Sequence, residues 1–282
     1  MSAVFDCNNI RNNKIKLLDI INNTKGDNVL ISLSDLSFKE LISFLHVFSI
    51  ISEKIYKRVF AGIPVKYEYI KLLLPNSNYY ILKNNDINCY LSKFQIIIKL
   101  YKNDLYISNN YTNFILNNIF NITEYEIPQL TIKHQVNNVY SDIIGLSIND
   151  YSVYRSIVNE LLECSLLCEK FEFSIDDITK YDNTEEFDEQ LGVKIFRPKD
   201  NSIINNVNNL ITKISNCRYF IGNESDLSIL SYMILGNNNF ILLDSNTYFK
   251  STFPFIKNVI DVSNNYKNNS ITDLLNELYC NF

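Results

Sequence analysis

The chain has 282 residues, 46% of them hydrophobic and 20% charged, and carries a formal net charge of −5 at neutral pH. That length accommodates one large or two modest globular domains, and that composition excludes global disorder. The acidic balance argues against a protein that grips duplex nucleic acid, which calls for a basic face, but allows a small anionic ligand held by a few backbone N–H groups and one or two cations.

The opening Met1-Ser-Ala-Val-Phe-Asp-Cys7 lacks a charged segment followed by an apolar one, so no signal peptide is expected. After a polar stretch with a short helix around residues 14–21, Asn28-Val-Leu-Ile-Ser-Leu33 reads as the first buried strand. It is a short apolar run between polar turns, the pattern of a strand covered on both faces. Ser34 or Asp35 is placed to cap a helix with Leu36, Leu41, Leu45 and Phe48 at helical spacing, on which Glu40 would be exposed. Residues 58–61 read as a strand, 65–74 as a helix, 79–82 and 94–100 as strands, and 111–120 as a helix. Pro128 biases its predecessor away from helix, and a linker there to about Tyr140 separates domains of residues 1–139 and 140–282.

The second half restarts with a strand over 142–148 and a helix over 153–163 that turns Ile157, Leu161 and Leu162 inward. A strand over 170–174, a short acidic helix over 185–191 and a strand over 194–197 follow. Then come helix 203–214, strand 218–222, helix 225–235, strands 240–243 and 258–262, and a closing helix 271–279. Such alternation predicts an α/β protein of two Rossmann-like domains with parallel sheets and right-handed crossovers. Ligands of such sheets bind beyond the carboxyl ends of strands, and a cleft between two lobes is the natural active site.

Six cysteines, Cys7, Cys89, Cys164, Cys168, Cys217 and Cys280, are scattered along the chain. Cys164 and Cys168 would share a helix face, but no second pair complements them, and His46 and His134 are the sole histidines. No zinc site is expected, and the thiols read as reduced, buried hydrophobes of a cytoplasmic protein. No apolar run is long enough for a membrane span. The excess of Asn, Ile, Lys and Tyr reads as codon bias, and Asn237-Asn238-Asn239 as loop filler.

The most informative stretch runs from Cys217 to Gly236 and on to Ser245. It is a strand, a tight turn at Gly222-Asn223, a helix with Glu224, Ser225 and Asp226 in its first turn, and a second strand across Gly236. A helix start offers unpaired N–H groups and partial positive charge to a phosphate, Ser225 adds a hydroxyl, and Glu224 could bond sugar or ribose hydroxyls. The same residues would also serve as plain helix caps.

This stretch resembles glycosyltransferase family 9, the heptosyltransferase-like enzymes. Their C-terminal lobe has a strand, an Asn-Asp-Ser/Thr-Gly-like turn, and a helix ending in Gly before a strand and a Thr/Pro-containing loop. The counterparts here are Phe220-Ile-Gly-Asn-Glu-Ser-Asp226, Leu235-Gly236 and Asp244-Ser-Asn-Thr-Tyr248. Fainter likeness extends to Ile143-Ile-Gly-Leu-Ser147 and Val29-Leu-Ile-Ser-Leu33 as the opening strands of the two lobes. The resemblance implies a two-lobed GT-B-type fold and inverting, metal-independent transfer without a cofactor. A nucleotide-sugar donor, itself the substrate, would be held by Asn223, Glu224, Ser225, Asp226, Ser147, Arg155 and Thr247; the acceptor is unidentified.

The departures fall on the chemistry. Where the family has a Gly-Asp pair whose Asp is the catalytic base, Ser37-Phe38 stands, leaving Asp35 or Glu40 as candidate bases. The family's phosphate-binding Lys has Arg155 as its nearest counterpart, one helical turn late; Asp226 replaces a Gly, and Ile229 falls near a frequent His. A catalytically inactive binding or scaffolding relative is the alternative.

Overall fold

The computed structural model describes residues 3–6, 17–74, 78–84, 86–100, 111–126, 143–172, 186–197, 203–244, 256 and 258–261. The chain divides into two compact units, one of residues 1–133 with 251–253 and the other of residues 134–250 with 254–282.

The first unit holds strands β1 (Ala3–Asp6), β2 (Asn28–Ser32), β3 (Arg58–Pro64), β4 (Tyr79–Leu82) and β5 (Ile96–Lys99). They form one parallel sheet in the order β1-β5-β2-β3-β4. Val29, Leu30 and Ile31 of β2 and Ile96, Ile97 and Ile98 of β5 are fully buried, as a strand covered on both faces requires. Helices α1 (Leu17–Asn23), α2 (Phe38–Lys54), α3 (Ile70–Leu73) and α4 (Tyr111–Asn113), the last continuing into a π-turn at Phe114–Ile119, complete the unit.

Four expectations change here. The sheet begins with β1, an edge strand of four residues, too short for alternation to announce it. The cap of α2 is Ser37, not Ser34 or Asp35: Glu40 N–H donates to Ser37 Oγ, and Glu40 Oε2 accepts from Ser37 N–H at 2.8 Å. This reciprocal pairing satisfies two donors of the helix start at once, and it buries Glu40, which is 2% exposed. Residues 65–74 are not one helix but a 3₁₀ turn at Val65–Tyr67 followed by α3. Both Tyr67 and Tyr69 meet the Phe38 ring, at 5.7 and 6.3 Å. Side chains two apart cannot share a partner on a regular helix, so the packing breaks it.

The second unit holds β6 (Ile143–Ser147), β7 (Leu167–Phe171), β8 (Glu186–Asp188), β9 (Val193–Phe196), β10 (Tyr219–Asn223), β11 (Phe240–Asp244) and β12 (Val259–Asp261). Their order is β12-β11-β10-β6-β7-β9-β8, parallel throughout except β8 against β9. Helices α5 (Tyr151–Glu163), α6 (Ile203–Asn216) and α7 (Asp226–Leu235) connect them. On α5 the buried residues Tyr154, Ile157, Val158 and Leu161 recur at helical spacing, and they join Ile144, Leu146, Ile221 and Leu243 of the sheet in one core. Leu162, expected inside, is 43% exposed on the other face.

The acidic helix expected over 185–191 is instead β8 and a turn. Asp188 Oδ1 accepts from the amides of Gln190 and Leu191, and Gly192 takes φ +67 before β9. A short acid turned back on its own amides competes with helix, and here it wins. Cys164 caps α5 while Cys168 lies in β7, so they do not share a helix face. Of the asparagines taken as filler, Asn239 closes a strand end, its Nδ2 donating to the Arg218 carbonyl at 2.7 Å, and the Asn237 carbonyl accepts from Asn258 Nδ2. The closing helix expected over 271–279 lies outside the described residues. Among the described residues no helix is long and apolar enough to cross a membrane.

Burial pushes the thiols of Cys168 and Cys217 up to about 12, whereas Cys89 and Cys164 are exposed. A thiol reagent at pH 8 is therefore expected to label Cys89 and Cys164 first, the half-buried Cys168 more slowly, and the buried Cys217 only on unfolding, as peptide mass spectrometry would read. The folded chain keeps the Cys168 and Cys217 protons where an unfolded chain loses them, above the ordinary thiol value of 9.0. Stability is thus intact below that value and falls as pH rises from there towards 12.

Candidate functional site

In the second sheet the strand order runs one way from β6 to β7 and the other way from β6 to β10. Helices therefore leave these neighbours to opposite faces, and the carboxyl ends of β6 and β10 open a crevice. Ser147 ends β6 directly opposite Gly222 of β10. Beyond them the Asn149 N–H donates to Asn223 Oδ1 at 3.0 Å, and Asn223 Nδ2 donates to the Leu243 carbonyl at 3.4 Å. One side chain thus ties together the ends of three parallel strands. Asn223, Ser147, Glu224, Ser225 and Asp226 all gather at this edge. Asn149, which completes the clasp through its backbone, was not singled out by sequence, because a main-chain donor leaves no residue-type signal.

The turn from β10 into α7 is closed from within. Ser225 is the N-cap, its Oγ accepting from Ser228 N–H at 3.1 Å. Ser228 Oγ donates to the Asn223 carbonyl at 2.5 Å and receives the Ser225 hydroxyl at 3.1 Å. This folding-back brings Ser228 against Gly222, where a Cβ would lie 2.2 Å from Ser228 Oγ. Only glycine fits that contact. Asn223, Glu224, Ser225 and Asp226 are each partly exposed.

The start of α5 is closed in the same manner. Asp150 caps it, accepting from the amides of Ser152 and Val153 at 2.8 and 3.2 Å and from Ser152 Oγ at 2.6 Å. The Ser152 hydroxyl, then the Val153 and Ser152 amides, hold the Asp150 carboxyl below its usual range. Both helix starts at the crevice thus carry their own oxygen acceptors, and Asp226 adds charge in the first turn of α7. Arg155 is exposed on α5, past its first turn. Thr247 lies outside the described residues.

The first unit has its own reversal of strand order between β2 and β5. There the Leu33 N–H donates to the Gly62 carbonyl at 3.0 Å and the Leu100 N–H to that of Ser32 at 3.2 Å, anchoring the loop that follows β2. Ser32 Oγ and Ser34 Oγ bond at 3.2 Å. In this loop Asp35 is exposed, while the carboxylate of Glu40 is buried and bonded to both Ser37 N and Ser37 Oγ at 2.8 Å. The two candidate bases therefore differ in access: Asp35 meets solvent and Glu40 holds the loop. Among the described residues no three His, Cys, Asp or Glu side chains converge as a metal site.

No protein-family model and no curated protein matches the chain. Solved structures do. A glycosyl transferase family 9 protein from Veillonella parvula is 12% identical with a TM-score of 0.58, over 90% of this chain and 92% of that one. TibC, an iron-containing dodecameric heptosyltransferase from enterotoxigenic E. coli solved with ADP-D-β-D-heptose, is 12% identical with a TM-score of 0.54, over 91% of this chain and 78% of that one. The E. coli heptosyltransferase WaaC, solved with ADP, is 8% identical with a TM-score of 0.54, over 89% of this chain and 99% of that one. With its two sheets of parallel βα units, the chain has the α/β, GT-B-type fold of the family 9 glycosyltransferases.

Proposed function

We propose that the chain is a glycosyltransferase that moves a sugar from a nucleotide-sugar donor to an acceptor hydroxyl, with inversion and without a metal. The observation that carries this reading is the clasp of Asn149 and Asn223 across the reversal of strand order, in a fold whose solved examples include heptosyltransferases. In this reading the second unit binds the donor through Ser147, Asn223, Glu224 and Ser225. The first supplies the base: Asp35 takes the acceptor proton, and Glu40 positions the Asp35 loop through Ser37. The acceptor oxygen forms its bond to the anomeric carbon as the bond to the diphosphate breaks, and the diphosphate leaves with the electron pair.

A thermal-shift panel of nucleoside diphosphates and nucleotide sugars tests the donor half. At a ligand concentration 100 times Kd, a bound ligand stabilises the chain by about 2.7 kcal/mol, and Glu224→Ala should reduce the shift. If no member of the panel raises the melting temperature of the wild-type chain, the transferase reading loses its support.

A second reading, a binding or scaffolding protein without turnover, is favoured by one observation. Asp150 and Asp226 place carboxylates at the two helix starts where an anionic donor would otherwise sit. Donor binding without release of nucleoside diphosphate would decide for it.

A further inference from the structure

Where the first sheet reverses its strand order, β5 and β2 end side by side on Lys99 and Ser32, which stand in register. Alternate residues of a strand share a face, as do residues in register on its neighbour. Lys99 therefore lies on the face of Ile97, and Ser32 on that of Leu30. Both apolar side chains are buried there in one cluster with Leu82 and Phe94. At the carboxyl edge this core gives way to an ammonium and a hydroxyl.

Lys99 is half-buried, yet among the described residues it forms no hydrogen bond and no ion pair. An ammonium brings three N–H donors, and drawing one partly out of water without an acceptor costs free energy. Two carboxylates near this edge are committed elsewhere: Glu40 is bonded to Ser37, and Glu68 lies 3.9 Å from Lys71. Ser32 is buried and donates its hydroxyl to Ser34 Oγ at 3.2 Å, which leaves the half-buried Ser34 its own proton to donate onward. On the other side of β2, β3 leads into the exposed Lys66, its ammonium 4.4 Å from the Tyr67 ring centroid. The loop that carries Asp35 is thus flanked by a lysine on either side.

We infer that Lys99, with the Ser34 hydroxyl beside it, holds an anionic group of the acceptor, a phosphate or a carboxylate near the hydroxyl that reacts. The inference rests on the transferase reading and narrows its acceptor to a negatively charged sugar. The lysine stands at the reversal of strand order, where ligands of such sheets bind. A charge-assisted bond at that point fixes the acceptor from one side and leaves the neighbouring Asp35 to take its proton. A neutral sugar lacks that anchor.

Amide-resolved NMR of the full chain, titrated with glucose, glucose 6-phosphate and glucuronate, tests it. At least one of the two anions is expected to shift residues 32–35 and 99–100, and the tighter one tells phosphate from carboxylate; glucose is not. Lys99→Met should weaken that anion about tenfold, and Lys99→Arg should keep it within about threefold of wild type. The melting temperature of Lys99→Met should equal or exceed that of wild type, because the apolar stem stays and an uncompensated charge goes. The assignment is overturned if neither anion shifts these amides, if glucose shifts them as strongly, or if Lys99→Met binds the anion as tightly as wild type. Asp6 of β1 also stands in register with Lys99. A fall in melting temperature that Lys99→Met and Asp6→Asn share would overturn it too, by giving the lysine to that carboxylate. Binding of nucleoside diphosphates, read separately by thermal shift, stands apart from these outcomes, so the acceptor site can fail while the donor reading holds. Anion binding in a chain that binds no nucleoside diphosphate would remove the acceptor role together with the transferase.

Discussion

Gly222→Ala is expected to destabilise the second unit by about 1–3 kcal/mol, the usual cost of an atom forced into a filled space. The added Cβ would lie 2.2 Å from Ser228 Oγ. That hydroxyl cannot simply rotate away, because it closes the turn onto the Asn223 carbonyl and receives the Ser225 hydroxyl. Ser228→Ala removes the obstructing oxygen, and the Ser228 Cβ that stays is 3.4 Å away, an ordinary contact. Denaturant unfolding should therefore find the double variant more stable than Gly222→Ala alone, although Ser228→Ala by itself costs stability. Simple addition of the two losses would show that the contact between β10 and α7 does not limit this position. The same turn carries Asn223, so a lost fit here should also weaken donor binding.

Asp35→Asn is expected to lower turnover by about 10²–10⁴-fold, the usual contribution of a positioned general base. The donor KM should stay nearly unchanged, since the proposed donor residues belong to the other unit. The comparison that isolates the base is Glu40→Gln. A glutamine can also bond back to the N-cap amide, so this variant keeps α2 capped and removes the buried charge. It should lose much less turnover than Asp35→Asn. The opposite ranking, with melting temperatures equal to wild type, would transfer the role of base to Glu40.

Much of this framework was legible from residue order. Strands such as Val29-Leu-Ile31 and Phe240-Ile-Leu-Leu243 announced themselves as unbroken apolar runs, and their alternation with helices implied parallel sheets. What failed to show was set by contacts between residues distant in sequence. Strand β1 exists because Ala3 to Asp6 find Ile96 to Lys99, a pairing that no local pattern encodes. The region over 65–74 broke its helix to place two tyrosines on Phe38, which lies some thirty residues earlier. Residues 185–191 were misread because acidic composition suits a helix surface and an Asx turn equally well.

The candidate site was legible in part for the same reason. Gly222, Asn223 and Ser225 stood out as a strand-turn-helix junction, and Ser225 is indeed the cap. The role of Glu40 was hidden, since the capping box with Ser37 is readable only once the helix start is known. The backbone donor of Asn149 is invisible to any motif.

Where a nucleotide would meet the chain is the most direct test of the proposed transferase. Amide-resolved NMR of the full chain, titrated with the nucleoside diphosphate that most raises its melting temperature, reads this position by position. The expected result is that shifts concentrate at residues 147–150 and 222–226, along the carboxyl ends of β6 and β10. Shifts gathered instead at the opposite edge, around Ile143, Leu167 and Tyr219, would contradict it.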